Sequence, residues 1–215
     1  MPRQARFIAP NYPHHVVQRG NHKENIFDDD TDKSFYLKCF KEFQELYKVK
    51  VYAWCLMNNH VHFVVEPTDT NALSLMFKRT NLKYAYYINR KRGTKGQLWE
   101  GRFYSSVLED GHFVNAIKYT ELNPFRAYLE DDLGEYKWTS YQERTNKQSR
   151  INLTDLPFQD SITNWYTFIK EGINLEKEFE LIRNRTSRNF PTGSSAFLYY
   201  LSLTFNRDFS LKTKV

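Results

Sequence analysis

The chain has 215 residues, of which 40% are hydrophobic and 17% aromatic, enough for one domain with a real core but too few for two full-sized domains. Lys and Arg number 31 against 25 Asp and Glu, and the formal net charge of +6 favours a polyanionic partner such as nucleic acid or an anionic membrane surface. No stretch has the character of a signal peptide or membrane span, so we expect a cytoplasmic protein without membrane association. The two cysteines, Cys39 and Cys55, lack ligand-like spacing and are expected to be ordinary thiols.

In chain order, the predicted elements are a strand over His15–Gln18, a helix over Asp29–Tyr47, strands over Val49–Met57 and His60–Glu66, a helix over Asn71–Arg92, a strand over Phe103–Leu108 and a helix from Asp110 to near Asn123. Asn58-Asn59 tolerates the positive φ of a tight hairpin, so the strands on either side should pair antiparallel. Pro124 disfavours helical geometry in the residue before it and should end the last helix. This β-α-β-β-α-β-α order predicts an α+β protein with a ferredoxin-like antiparallel sheet and packed helices.

The composition becomes polar over Lys147–Asn152, after which the pattern predicts more helix. The helical stretches cover Ile162–Lys170, Leu175–Asn184 and Ser194–Leu203. We therefore predict two units, residues 1–146 with the sheet and residues 147–215 as a small C-terminal helical appendage.

Two histidines on a predicted strand have the spacing of a chelating pair. Side chains alternate between the two faces of a strand, so His60 and His62 share one face. The apolar residues Val61, Phe63 and Val65 share the other face. Cα atoms two residues apart on a strand are roughly 6.5–7 Å apart, a span that two imidazoles can bridge to one cation at about 2.1 Å from each nitrogen. Such a pair can also be two ordinary polar residues on the wetter face of a sheet.

The last predicted helix carries a candidate nucleophile. Tyr119 lies about 200° around the helix from Ile117, so it does not follow Phe113 and Ile117 towards the core. Asn123 shares the face of Tyr119 because it lies four residues further on. A nuclease that forms a phosphotyrosine needs a phenol and an oxygen ligand presented together to a metal ion. The chain has 15 tyrosines, most of which must be packing or surface residues.

Two motifs carry a resemblance to a known family. His60-Val61-His62 resembles the His-hydrophobic-His motif of HUH single-strand endonucleases. The segment Tyr119–Pro124, with Arg126-Ala127 after it, is similar to the Tyr-x-x-x-Asn-Pro segment of REP-associated single-tyrosine transposases. We therefore identify a resemblance to this transposase family.

Two further stretches agree with this resemblance. Val17–Asn21 resembles the family's first strand and following turn, and Leu98–Phe103 resembles the loop before its fourth strand. The similarity runs in order from about His14 to Tyr141, roughly three-fifths of the chain. It implies the HUH endonuclease fold for residues 1–146 and a DNA transposase activity.

The resemblance also implies the roles of the site residues. It assigns Mg²⁺ or Mn²⁺ to His60 and His62, and makes Tyr119 the nucleophile that forms a 5′-phosphotyrosyl link and frees a 3′-hydroxyl. Asn123 is the expected third metal ligand, with Glu121 as the alternative. The expected partner is single-stranded or hairpin DNA, bound by a monomer or a homodimer.

Positive charge and aromatic faces suggest where DNA would bind. The candidate DNA-binding residues are Arg19, Lys23, Arg79, Lys83, Arg90, Arg92, Trp99 and Arg102. The charges of the second predicted helix can also be a solvated face. We further expect Arg183, Arg185 and Arg188 in the tail to contact duplex or hairpin DNA.

Three other functions share these residues. One is a replication or plasmid-mobilising nuclease with the same HUH chemistry, which the Tyr-to-Asn-Pro context disfavours. Another is a domesticated DNA-binding protein that no longer cuts, against which the retained histidines and Tyr119 argue. The last is a metal-dependent nuclease in which water attacks and Tyr119 only packs, and this mechanism would give no covalent adduct.

Overall fold

An antiparallel sheet organises the computed structural model, which describes residues 6–146 and 149–210. The elements are β1 (His14–Arg19), α1 (Asp30–Leu46), β2 (Lys50–Leu56), β3 (His60–Glu66), α2 (Ala72–Arg92), β4 (Tyr104–Val107), α3 (Asp110–Arg126), α4 (Ser140–Asn146), α5 (Trp165–Lys170), α6 (Glu176–Ser187) and α7 (Ser195–Phe205). The strand order is β2-β3-β1-β4, and every neighbouring pair is antiparallel. The predicted α+β, ferredoxin-like arrangement is confirmed.

One face of the sheet is apolar and packs on α1 and α2. Val61, Phe63 and Val65 of β3 are fully buried there, as the alternation of side chains along the strand predicts. The ring of Phe63 stacks on that of Phe40 from α1, with 4.1 Å between centroids, and lies 5.8 Å from the ring of Phe77 on α2. This packing fixes β3 with its histidines turned to the opposite face.

The acidic cluster before α1 forms the helix start that the sequence predicts. Asp29 is the N-cap, and its side chain and that of Asp32 form a capping box. Asp32 is fully buried and also accepts hydrogen bonds from Tyr87 at 3.0 Å and Lys91 at 2.7 Å. The carboxylate of Asp32 therefore both caps the N-terminus of α1 and binds α2 to it.

The opposite face of the sheet is covered by α3 and by helices from the C-terminal segment. Val64 and Ala53 of the sheet share a buried cluster with Leu122 of α3 and with Phe179 and Ile182 of α6. The C-terminal helices thus form a third layer over the sheet. Within the described ranges, no helix is long and apolar enough to cross a membrane.

The three predicted C-terminal helices correspond to α5, α6 and α7, with shifted ends, whereas α4 was not predicted. The predicted boundary at Lys147 lies outside the described residues, and the division into two units stays a prediction.

The end of α3 differs from the expectation. The helix continues through Pro124 to Arg126, so the predicted end near Asn123 is wrong. Proline removes one backbone donor and crowds the carbonyl four residues before it, but Pro124 lies in the last turn of α3, where only two helical residues follow. The backbone N–H of Ala127 donates to the carbonyl of Asn123 at 3.0 Å, and Leu122 and Pro124 are buried. This bond and this burial extend the last turn beyond the proline.

The turn after β1 packs tightly against the β2–β3 hairpin at Gly20. The backbone N–H of Gly20 donates to the carbonyl of Asn59 at 2.8 Å. A Cβ atom at Gly20 would lie 2.6 Å from the carbonyl oxygen of Glu24 and 2.6 Å from Cγ2 of Ile26. Only glycine therefore lets the chain after β1 fold back this closely on Glu24 and Ile26, next to the hairpin that carries His60.

We predict that Gly20→Ala lowers the free energy of unfolding by roughly 1–3 kcal/mol, because the backbone must shift to admit the methyl group. Gly111→Ala is the matched control. Gly111 lies in α3, and a Cβ atom added there would have no other atom within 4 Å. The control should keep or raise the stability by up to about 1 kcal/mol. Denaturant unfolding measures both, and equal midpoints for Gly20→Ala and wild type would contradict the close approach.

Candidate active site

Strand register brings the candidate site residues to one face of the sheet. Val17 of β1 is opposite His62 of β3, and Arg19 is opposite His60. These four side chains share the face turned towards α3 and α6, since directly paired residues lie on the same side. They line a small cavity of about 120 Å³. Its lining comprises His15, Val17, Arg19, His60, His62, Tyr104, Tyr119, Arg183, Thr186 and Ser187.

The structure places the predicted nucleophile beside the predicted metal ligands. The rings of His60 and His62 lie 4.8 Å apart between centroids. The ring of Tyr119 lies 5.6 Å from that of His62. The imidazoles of His60 and His62 and the phenol of Tyr119 therefore meet in one cavity, although they come from a strand and a helix well separated in sequence.

Hydrogen bonds to its neighbours fix the tautomer of His60. The side-chain nitrogen of Asn59 donates to the carbonyl of Lys23 at 3.1 Å, which turns the amide oxygen towards Nδ1 of His60 at 2.6 Å. An amide oxygen only accepts, so Nδ1 carries the proton and Nε2 keeps a free lone pair. This is the form of histidine that binds a metal ion.

Burial keeps both histidines neutral. It lowers the pKa of His60 to about 4, with a smaller contribution from the charge of Arg19. Burial likewise lowers the pKa of His62 well below its usual value, with help from His60, His15 and Arg19. At neutral pH both imidazoles are therefore able to act as ligands.

The same burial has the opposite consequence for the phenol. Tyr119 is only 6% exposed, and burial raises the pKa of its hydroxyl, while Arg126, Arg183 and Arg19 oppose the rise. The guanidinium of Arg126 lies 5.6 Å from the centre of the Tyr119 ring. Tyr119 is therefore a neutral phenol at neutral pH, and a neutral phenol is a weak nucleophile.

The side chains of Asn123 and Glu121, the two candidates for a third metal ligand, are hydrogen-bonded to other groups of the protein. The amide nitrogen of Asn123 donates to the carbonyl of Tyr119 at 2.9 Å. Asn123 is not among the described residues that line the cavity of His60 and His62. Glu121 is buried and accepts hydrogen bonds from Ser140 at 2.6 Å and Trp165 at 2.8 Å. The assignment of Asn123 as a ligand stays a prediction.

The donor chemistry fits a divalent cation held in part by histidine. Among residues 6–146 and 149–210 there is no cluster of three or more His, Cys, Asp or Glu able to hold a metal. Two imidazoles could share the cation with oxygen ligands such as an amide, water or a phosphate oxygen. The residues present are thus compatible with Mg²⁺ or Mn²⁺, whose identity stays a prediction.

Two of the candidate DNA-binding residues lie beside His60. Arg19 and Lys23 line an open groove of about 630 Å³, together with His60 and Glu100. The groove leads along the turn after β1 to the edge of the histidine pair. Positive charge therefore borders the site where a phosphate would have to lie.

The other candidates lie elsewhere. Arg102 lines a separate groove of about 530 Å³ beside α2. The helix α2 packs on the sheet face opposite the histidines and carries Arg79, Lys83, Arg90 and Arg92.

Three of the eight candidate DNA-binding side chains, those of Lys83, Arg92 and Trp99, already have partners within the protein. Lys83 pairs with Glu42 at 2.5 Å, and Arg92 pairs with Asp28 at 2.6 Å. Trp99 is buried, and its indole N–H donates to the carbonyl of Asn81 at 3.0 Å. The DNA contacts of all eight candidates stay predictions.

Several residues of the cavity were not predicted from the sequence. His15 is four residues before Arg19 on β1, so strand alternation could have found it. Arg183 was expected to contact DNA but not to lie beside the histidines, and Thr186 and Ser187 were not predicted at all. These three residues have the spacing of one helix face, but no local pattern indicates that α6 lies over the sheet.

Comparison with one solved transposase shows a shared fold. A REP-associated tyrosine transposase bound to a REP hairpin aligns with a TM-score of 0.57 and 12% identity, over 73% of this chain and 96% of the other. A candidate transposase from Deinococcus radiodurans aligns with a TM-score of 0.39 and 11% identity, over 59% of this chain and 92% of the other. A search of curated proteins finds no match.

Comparison with models of protein families identifies the family to which the chain belongs. Residues 9–132 match the model described as Transposase IS200 like, which is more than half of the chain. The resemblance seen in the His-Val-His and Tyr-to-Asn-Pro motifs is thereby confirmed. The chain belongs to the IS200-like transposase family.

Proposed function

We propose that the protein is a metal-dependent tyrosine transposase that cleaves and rejoins single-stranded DNA at Tyr119. The observation that carries the proposal is the meeting of Tyr119, His60 and His62 in one cavity, with 5.6 Å between the rings of Tyr119 and His62. Membership of a transposase family supports the same chemistry.

In the proposed reaction, the Tyr119 oxygen attacks the scissile phosphorus and the phenol loses its proton. The bond between phosphorus and the 3′ oxygen breaks, so the 5′ phosphate stays on the tyrosine and the 3′ oxygen leaves as a hydroxyl. Attack by another 3′-hydroxyl on the phosphotyrosyl link reverses these changes and rejoins a strand. No external energy source is needed, because one phosphoester replaces another.

The protein groups around the cavity supply charge and orientation. Nε2 of His60 and His62 would hold Mg²⁺ or Mn²⁺, which would polarise the phosphate and neutralise its oxygens. Arg19 is exposed at the edge of the cavity and can bind a phosphate oxygen. Arg126 and Arg183 favour the phenolate that forms as Tyr119 attacks.

The proposed partner is single-stranded or hairpin DNA. A solved transposase of the same fold binds a REP hairpin, and the groove with Arg19 and Lys23 offers this chain a basic path beside the site. The monomer and the homodimer both remain compatible with this partner.

One observation favours a second function. Tyr119 is only 6% exposed and lines a small cavity together with residues of α6, so little of its surface is open to a DNA strand. A DNA-binding protein without strand transfer would have no need for access. The presence or absence of a covalent adduct separates the two functions.

We predict that wild-type protein forms a covalent adduct with labelled hairpin DNA from its own genomic flanks in Mg²⁺ or Mn²⁺, and that Tyr119→Phe forms none. Loss of the nucleophile should lower cleavage by at least about 10³-fold. Tyr104→Phe removes the other phenol that lines the cavity and should keep the adduct. A denaturing gel scores both, and an adduct in Tyr119→Phe would exclude Tyr119 as the nucleophile.

We predict that His60→Ala abolishes cleavage but changes DNA affinity by less than about threefold, because Lys and Arg contacts to phosphates dominate binding. His112→Ala is the control, since this histidine lies on α3 and does not line the cavity. Cleavage and filter-binding assays measure the two properties separately. Full cleavage by His60→Ala would refute the metal site.

A further inference from the structure

A chain of hydrogen bonds links His62 to the C-terminal segment. Nδ1 of His62 lies 3.0 Å from Nε2 of His15, and Nδ1 of His15 lies 2.8 Å from Oγ1 of Thr186 on α6. All three side chains are buried, with exposures of 4%, 0% and 1%. The planes of the His15 and His62 rings are nearly parallel, with 24° between them and 5.2 Å between centroids, as expected for two rings joined edge to edge by a hydrogen bond. Two buried imidazoles are thus held in a fixed relative orientation.

The direction of the protons in this chain follows from the proposed role of His62. To bind a cation through Nε2, His62 must keep a lone pair there and carry its proton on Nδ1. That proton can only be donated to Nε2 of His15, which must then be unprotonated. His15 consequently carries its own proton on Nδ1 and donates it to the hydroxyl of Thr186. The reverse direction would place a proton on Nε2 of His62 and block ligation.

Histidine at position 15 is difficult to explain by packing alone. His15 is completely buried beside Tyr119, whose ring lies 5.5 Å away. The next residue on the same face of β1 is the aliphatic Val17, so this face of the strand does not itself require polar side chains. Burying a polar ring costs free energy unless each nitrogen finds a partner. Both nitrogens of His15 do, and one of the two partners is the candidate ligand.

We propose that His15 is a positioning residue that holds His62 in the tautomer and orientation needed to bind the divalent cation, and that Thr186 anchors His15. This inference rests on the proposed function. It gives the C-terminal segment a part in building the metal site, because Thr186 is 171 residues from His15 in sequence. His60 is positioned separately, through Asn59 on the hairpin. The two candidate ligands therefore have independent supports, one on the β2–β3 hairpin and one that reaches α6 through His15.

The test is Mn²⁺ affinity of the full chain without DNA, measured by electron paramagnetic resonance of free Mn²⁺. His15→Phe keeps a ring of similar size without hydrogen bonds and should weaken Mn²⁺ binding by about 10- to 100-fold, as loss of a supporting hydrogen bond does at other metal sites. His15→Gln can still accept from Nδ1 of His62 and should recover part of the affinity. A purely structural role would not give this rescue.

A second pair of variants keeps the test decisive if His15→Phe fails to fold. Thr186→Val preserves the shape of the side chain but removes the acceptor, and should weaken Mn²⁺ binding by about 3- to 10-fold. Thr80→Val is the matched control on α2, since the buried Thr80 hydroxyl has no hydrogen-bond partner in the described part of the chain. Its Mn²⁺ affinity should equal that of wild type. Thermal unfolding without metal establishes that each variant is folded.

The outcomes separate this inference from the proposed function. Mn²⁺ binding that is lost in His60→Ala but unchanged in folded His15→Phe and Thr186→Val would overturn the role of His15 and leave the metal site standing. Mn²⁺ binding that is absent in wild type, or unchanged in His60→Ala, would overturn both. Equal losses in Thr186→Val and Thr80→Val would also overturn the inference, because the effect would then be general.

Discussion

The site depends on the register between β1 and β3. Pairing of Val17 with His62 and of Arg19 with His60 turns these side chains to one face, while Phe63 and its apolar neighbours fill the other. A slip of one residue would exchange the two sets, placing the histidines in the apolar layer and the large hydrophobic residues in the cavity. The burial of Phe63 against α1 and α2 therefore helps to fix the register, and with it the position of the histidines.

The parts of the structure that follow from local patterns could be predicted from the sequence. Alternation placed His60 and His62 on one face, and the order of elements gave the sheet topology. Local sequence patterns were insufficient to predict features that depend on tertiary packing. Pro124 did not end α3, and the aromatic face proposed for DNA at Trp99 is buried beside α2. The contact of Thr186 with His15 spans most of the chain, and no spacing within either segment indicates it.

Burial acts in opposite directions on the two kinds of group in the cavity. Exclusion of water favours the neutral form of every titratable side chain. For His60 and His62 the neutral form is the one that binds metal ions, so burial prepares them. For Tyr119 the neutral form is a weak nucleophile, so the proposed attack would need positive charge to stabilise the phenolate. The arginines around Tyr119 supply part of that charge, and the proposed cation would supply more.

The proposed function depends on covalent attachment of DNA to Tyr119. The reaction can be trapped on hairpin DNA in Mn²⁺, the protein and DNA digested, and the attached nucleotide located by tandem mass spectrometry. The proposed mechanism requires a 5′-phosphonucleotide on Tyr119, within the tryptic segment Tyr119–Arg126, which contains no other tyrosine. Cleaved DNA without any modified tyrosine, or a nucleotide attached to a different residue, would contradict it.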